Sequence, residues 1–124
     1  MSIYSKALKL IPGGVNSPVR AFKAVGGNPV FAKKGKGAYF WDESGKKYLD
    51  FCNSWGALLF GHAPENLVRT ISKTATEGMS FGIATRREVE LAEQIQKFYP
   101  SMQKMRMTSS GTEAVMSAVR LARG

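Results

Sequence analysis

Ser109-Ser110-Gly111-Thr112-Glu113-Ala114 is the stretch around which this 124-residue chain reads most clearly. Before it, Lys104-Met105-Arg106-Met107-Thr108 contains no Gly or Pro and reads as a short buried strand. After it, Ala114 to Arg123 reads as a helix. Glu113, Ser117 and Arg120 are four and three residues apart, so they form one narrow polar stripe. The other residues from Ala114 to Ala122 are apolar, which predicts that most of the helix circumference is buried.

Ser110 and Glu113 have capping-box spacing: the hydroxyl can accept from the Glu113 amide, and the carboxylate can reach back to the Ser110 amide. Gly111 lets a ligand approach the backbone closely. A turn of this kind gathers free amide hydrogens at the positive end of a helix dipole, and a phosphate suits such a place. The same S-x-x-E pattern also serves a well-capped helix that binds nothing.

Upstream, Thr85 and Glu88 make a second capping box. Leu91, Ala92, Ile95, Phe98 and Tyr99 follow as an apolar stripe that Pro100 ends. Another helix is expected from Pro64, with Leu67, Val68, Ile71 and Ala75 on one face and Gly78 as its stop. Earlier still, Val30–Lys33, Ala38–Asp42 and Lys47–Phe51 read as strands. They are separated by turn signals at Lys34-Gly35-Lys36-Gly37 and Glu43-Ser44-Gly45, and short gaps of that kind predict an antiparallel meander. Ser2 to Ile11 reads as a short helix ended by Pro12-Gly13-Gly14.

Two further stretches carry chemistry. Val15-Asn16-Ser17-Pro18-Val19-Arg20-Ala21-Phe22 has neither helical nor strand periodicity. It reads as a structured loop bearing a hydroxyl and a guanidinium three residues apart. An Arg fork suits a carboxylate or phosphate, and equally a surface salt bridge. In Cys52-Asn53-Ser54-Trp55-Gly56 the Trp fits either a pocket wall or a core. His62, the one histidine, has no local ligand set and reads as a structural hydrogen-bonding residue.

Composition narrows the classes. Hydrophobic residues are 44% of the chain, enough for a core. The formal net charge is +9 and the pI about 9.9, which points to an acidic partner. The basic residues are dispersed, so a nucleic-acid-binding module is the alternative rather than the main expectation. One cysteine, Cys52, excludes an intramolecular disulfide, and no Cys/His cluster has metal spacing. No apolar run can span a bilayer and no secretion signal opens the chain, so the expectation is a cytoplasmic protein with no membrane partner. The chain stops directly behind a helix whose strand-turn-helix unit normally feeds another parallel strand. The expectation is the front part of a larger α/β protein.

Taken in order, these stretches resemble the N-terminal region of the class III aminotransferase family, and within it the glutamate-1-semialdehyde 2,1-aminomutases. The resemblance rests on Pro12-Gly13-Gly14-Val15-Asn16-Ser17-Pro18-Val19-Arg20-Ala21-Phe22, Tyr39-Phe40-Trp41-Asp42 with Gly45, Asn53-Ser54-Trp55-Gly56, Gly61-His62-Ala63, Ser80-Phe81-Gly82, Glu88-Val89-Glu90-Leu91-Ala92 and Ser110-Gly111-Thr112-Glu113-Ala114. It implies an α/β chain, the N-terminal part of a type I pyridoxal-phosphate transferase fold. Residues 1–60 would be an N-terminal segment with a small antiparallel meander. Residues 61–124 would begin the large cofactor-binding domain, with helices and its first strand-turn-helix.

By the same resemblance, Ser110, Gly111 and Thr112 bind the phosphate of pyridoxal 5'-phosphate, which cycles through its pyridoxamine form. Ser17 and Arg20 hold the carboxylate of a small amino-aldehyde substrate, and Trp55 lines its pocket. The reaction implied is the conversion of glutamate-1-semialdehyde to 5-aminolevulinate, a tetrapyrrole precursor, by a homodimer. The alternative within the family is a class III aminotransferase with a second amino donor or acceptor. None of the eleven lysines matches the family's Schiff-base lysine, so no catalytic residue is assigned in this chain and the 124 residues alone are expected to be inactive. The family usually reads G-H-A-H-P-E where this chain has Gly61-His62-Ala63-Pro64-Glu65, one histidine fewer.

Overall fold

In the computed structural model, residues 2–124 are described. The chain forms two units, Met1–Glu77 and Gly78–Gly124.

In the first unit, helix α1 runs over Ile3–Leu10 and starts where the Ser2 hydroxyl accepts from the Ser5 amide at 3.1 Å. The helix ends at Pro12-Gly13-Gly14, which forms a 3₁₀ turn with Gly13 at φ 70 and Gly14 at φ 73. Gly14 is buried beneath α1: a Cβ there would lie 2.8 Å from the Tyr4 ring. Tyr4 also tilts against Phe31, with ring centroids 6.2 Å apart. Ala7 is the one buried hydrophobic side chain among the described residues.

Strands β1 (Ala32–Lys36), β2 (Tyr39–Asp42) and β3 (Lys47–Leu49) make an antiparallel sheet in the order β1-β2-β3. The meander is present with shifted boundaries: β1 starts at Ala32 instead of Val30, β2 at Tyr39 instead of Ala38, and β3 ends at Leu49 instead of Phe51. Lys34-Gly35-Lys36, expected as a turn, continues β1 instead, and the reversal occurs at Gly37-Ala38. Gly37, at φ 57, takes the left-handed position that this tight reversal needs.

The β2–β3 turn is built on Asp42. Its Oδ1 accepts from the Ser44 amide, the Ser44 hydroxyl and the Lys46 amide at 2.9, 2.6 and 2.9 Å, and its Oδ2 accepts from the Tyr48 hydroxyl at 2.9 Å. The Ser44 hydroxyl leads these contacts in holding the Asp42 carboxyl below its ordinary value.

The two faces of the sheet differ. Phe40 stacks on its cross-strand partner Tyr48, with centroids 4.9 Å apart and planes 6° from parallel. On the other face Lys47 Nζ lies 3.8 Å from the Tyr39 ring centroid, and Lys34 Nζ 4.9 Å from that of Trp41. Part of the basic surplus therefore packs on aromatic rings.

Helix α2 (Glu65–Glu77) closes this unit, ending before Gly78 as expected. At its entry, where one histidine fewer stands than in the family pattern, Ala63 adopts φ 48.

In the second unit α3 spans Arg86–Phe98 and α4 spans Gly111–Arg123. The Thr85 box forms, with Glu88 Oε1 accepting from the Thr85 amide at 3.2 Å and from its hydroxyl at 3.1 Å.

Two expectations for this unit are overturned. Residues 104–108 form no strand: the three strands among the described residues pair with one another, and a lone extended segment has no ladder to join. The burial of α4 is also the reverse of the expectation. None of its residues is buried, Val115 is 65% exposed and Leu121 84%, and Ser117 of the polar stripe is the one half-covered residue. Glu113, Ser117 and Arg120 line a hollow together with Arg106–Ser109, so the preceding segment lies along the polar stripe and leaves most of the apolar side uncovered.

Candidate functional site

Each unit contains one set of the residues singled out from the sequence. In the first, Pro18–Ala21 forms a 3₁₀ turn opened by Ser17 in extended conformation. The turn is closed by the Arg20 amide donating to the Ser17 carbonyl at 3.0 Å. Pro18 sets the φ of the first turn residue. Phe22, at φ 59, bends the chain away.

This turn sends the Arg20 guanidinium toward Trp55, whose ring centroid is 5.7 Å from the guanidinium carbon. That is cation–π range. Arg20 carries no ion pair in the described residues, so its fork of donors stays available for an anion.

Arg20 and Trp55 together wall two hollows. One, of about 540 Å³, is otherwise lined mainly by apolar side chains such as Val19, Phe22, Val30 and Phe31. The other, of about 520 Å³, is lined by Gly35, Phe40, Asp50 and His62 among others. Ser17 is half-buried and lines an adjoining hollow whose wall also includes Val15 and Asn16. The structure thus brings Arg20 and Trp55 together, while Ser17 is bonded to Arg20 through the turn backbone and lines neither of their two hollows. Trp55 is 66% exposed and lines both of these hollows.

Trp55 reaches this place through an unusual backbone. Asn53, Ser54 and Trp55 have φ 48, 49 and 54, three consecutive non-glycine residues in the left-handed region. Asp50 stands at the head of this turn, and its Oδ1 accepts from the Cys52 and Asn53 amides, each at 2.9 Å. Its Oδ2 lies 2.7 Å from His62 Nε2. An ionised carboxylate only accepts, so Nε2 carries the proton. The Asn53 amide first, and the His62 imidazole after it, hold the Asp50 carboxyl below its ordinary value. His62 is therefore the structural hydrogen-bonding residue that was expected. Asp50 and the left-handed turn were not foreseen, because nothing between Cys52 and Trp55 has the glycine that usually marks such a backbone.

In the second unit Ser110 caps α4. Its hydroxyl accepts from the Glu113 amide at 3.2 Å, and its carbonyl accepts from the Ala114 amide at 3.0 Å. The capping box is altered in one bond: the Glu113 carboxylate takes the Ser110 hydroxyl at 3.2 Å, not the Ser110 amide. The amides of Gly111 and Thr112 have no acceptor among the described residues. A Cβ on Gly111 would meet nothing within 4 Å, so the approach to these amides is open. Two free amides at a helix start fit a phosphate group in number, charge and access.

No group of three or more His, Cys, Asp or Glu among the described residues is placed to hold a metal ion. No helix among them is long and apolar enough to cross a membrane.

The model of the aminotransferase class-III family matches residues 22–124. Glutamate-1-semialdehyde 2,1-aminomutase of Polaromonas naphthalenivorans is 55% identical over 123 residues, covering 99% of this chain and 28% of that protein. The chain thus spans under a third of the length of the curated relatives it matches. Among solved structures, an omega-transaminase from Sphaerobacter thermophilus superposes with a TM-score of 0.86 at 36% identity, over 98% of this chain and 27% of that one. A transaminase with PLP bound gives the same score at 39% identity, over 98% of this chain and 28% of that one. The fold is that of the transaminases, and the chain belongs to the class III aminotransferase family.

Proposed function

We propose that this chain is the N-terminal portion of an aminomutase that converts glutamate-1-semialdehyde to 5-aminolevulinate, a step of tetrapyrrole synthesis. The observation that carries this reading is the Arg20–Trp55 pair at its hollow, set in a stretch that matches the aminomutase of Polaromonas naphthalenivorans over nearly the whole chain.

Arg20 is the group for the substrate carboxylate, because its planar fork can hold both oxygens while its rear face rests near the indole. Ser17 adds a hydroxyl beside it. Trp55 is the apolar wall that orients the carbon chain and keeps water from one side of it. The cofactor of this reading is pyridoxal 5'-phosphate, also in its pyridoxamine form. Its phosphate would rest on the Gly111 and Thr112 amides with Ser110 alongside, in the part of the chain (61–124) that begins the cofactor-binding domain. When bound, the cofactor supplies the electron sink that amino-group movement between neighbouring carbons requires. No residue of this chain is assigned to proton transfer, and residues 1–124 alone should not turn over. The complete protein acts as a homodimer in this reading.

The test is turnover by the complete gene product given glutamate-1-semialdehyde and no keto acid. The expected result is 5-aminolevulinate. A strict requirement for an added keto acid would replace this reading with an intermolecular class III transamination.

A further inference from the structure

The pair formed by Asp50 and His62 has no role assigned above, yet it joins the β1–β2 reversal to the turn that carries Trp55. His62 is fixed from two sides. Its amide donates to the Gly37 carbonyl at 2.8 Å and its carbonyl accepts from the Gly37 amide at 2.9 Å, which ties its backbone to the β1–β2 reversal. Its ring lies over Gly35, where a Cβ would come 2.5 Å from ring atoms. Gly35 thus leaves the space that the imidazole fills.

From there Nε2–H reaches Asp50 Oδ2 at 2.7 Å, with the His62 and Asp50 side chains 24% and 11% exposed. The other Asp50 oxygen takes the Cys52 and Asn53 amides. The next turn bond, from the Trp55 amide to the Cys52 carbonyl, is 2.9 Å. A left-handed run of three residues is disfavoured for L-amino acids and persists where neighbours over-determine it. Asp50 is that neighbour, and His62 fixes Asp50.

We propose that Asp50 and His62 are positioning residues for the Arg20–Trp55 subsite: through the left-handed turn at 53–55 they set the indole opposite the guanidinium and so tune affinity for the substrate carboxylate. This rests on the reading of that subsite given above. Both side chains line the second of the two hollows, and the role assigned to them is to hold the turn, not to bind the carboxylate. Its effect is on binding of the carboxylate, not on retention of the cofactor.

The experiment uses the complete gene product loaded with pyridoxal phosphate, and levulinate, a five-carbon keto acid, as the probe. Affinity is read by calorimetry and cofactor occupancy by absorbance. His62→Ala should weaken levulinate binding by about tenfold and raise KM in parallel, with kcat and occupancy little changed. His62→Gln, whose amide can still donate to Asp50, should recover affinity to within about threefold of the unaltered protein. Gly35→Ala leaves both partners in place but takes the space of the ring, and should weaken levulinate as His62→Ala does.

Should His62→Ala fail to fold, Gly35→Ala and His62→Gln carry the comparison. Unchanged affinity in a folded, cofactor-loaded His62→Ala or Gly35→Ala protein overturns the proposal. Equal loss of cofactor and of levulinate binding in these variants also overturns it, because the pair would then serve folding alone. Arg20→Ala separates the two readings. Unchanged levulinate affinity there removes the subsite itself. Weakened affinity there, beside unchanged affinity in His62→Ala, removes only the positioning role.

Discussion

The Arg20 guanidinium carbon lies 5.7 Å from the centroid of the Trp55 ring, although the two residues are thirty-five positions apart in the chain. The 3₁₀ turn after Ser17 delivers one partner and the left-handed turn after Cys52 delivers the other. Neither residue is buried, so their proximity does not come from a packed core. It comes from two turns, the first closed by the Arg20 amide on the Ser17 carbonyl and followed by Phe22 at φ 59, the second left-handed and held by the Asp50 carboxylate. That suits a ligand site better than a structural one.

Arg20→Lys tests this placement. A lysine keeps the charge but replaces a planar fork that can face an indole with a point charge. KM for the substrate, and the Kd of levulinate, should rise by about tenfold in the complete gene product while cofactor occupancy stays constant. Parallel loss of occupancy would place Arg20 in a different role.

Thr112→Pro tests the phosphate turn. Thr112 is the second residue of α4, where a proline ring is compatible with the first helical turn. The substitution therefore removes one free amide without breaking the helix. Cofactor retention on dialysis should fall by about tenfold or more, while Thr112→Ala, which keeps the amide, should retain it. Absorbance of the bound cofactor is the readout, and circular dichroism checks that helix content is unchanged.

Gly14→Ala and Gly13→Ala separate backbone strain from steric contact. Both glycines stand in the left-handed region, at φ 73 and 70. A Cβ at Gly13 meets nothing within 4 Å, whereas one at Gly14 would lie 2.8 Å from the Tyr4 ring. Gly13→Ala should cost about 1 kcal/mol from backbone strain alone. Gly14→Ala should cost more, about 2–4 kcal/mol, because Tyr4 must also move. Urea midpoints of the two variants give the comparison.

Acid sensitivity follows from Asp42 and Asp50. Both carboxyls are held below the ordinary value of 3.8 by the hydrogen bonds they accept. The unfolded chain therefore binds more protons than the folded one as pH falls through this range. The stability they contribute is complete above the ordinary value and is lost as pH drops through the lowered folded values. Urea midpoints measured from about pH 5 down to about pH 2 should fall, and Asp50→Asn should flatten part of that fall. An unchanged slope in Asp50→Asn would mean that its bonds to Asn53 and His62 do not differ between the folded and unfolded states.

What was legible in the sequence was local. The Thr85 and Ser110 caps, the Pro12-Gly13-Gly14 stop and the three short strands each carry their signal within a few residues, and each is present. The long-range features were not legible. Lys34-Gly35-Lys36 looked like a turn because two glycines flank lysines, but Gly35 lies in β1 and leaves space for the His62 ring. The strand expected at 104–108 depends on a pairing partner that local composition does not reveal. The left-handed run at Asn53-Ser54-Trp55 has no glycine to announce it and is held by Asp50, whose role appears only once His62 is brought beside it. Apolar residues on α4 foretold burial, but burial needs a covering surface, and the segment lying along this helix meets its polar stripe instead.

That uncovered surface has its own consequence. Leu121 and Val115 of α4, and Phe98 of α3 at 79% exposure, present apolar area to water. Residues 1–124 produced alone should associate, with apparent mass rising with concentration in sedimentation experiments. A concentration-independent monomer with one sharp unfolding transition would contradict this.

The most direct test of the cofactor assignment is a crystal structure of the complete gene product with pyridoxamine phosphate bound. Phosphate oxygens are expected at about 2.7–3.2 Å from the Gly111 and Thr112 amides, with the Ser110 hydroxyl beside them. A bound cofactor whose phosphate lies elsewhere, with those two amides donating to protein groups or to water, would contradict that assignment.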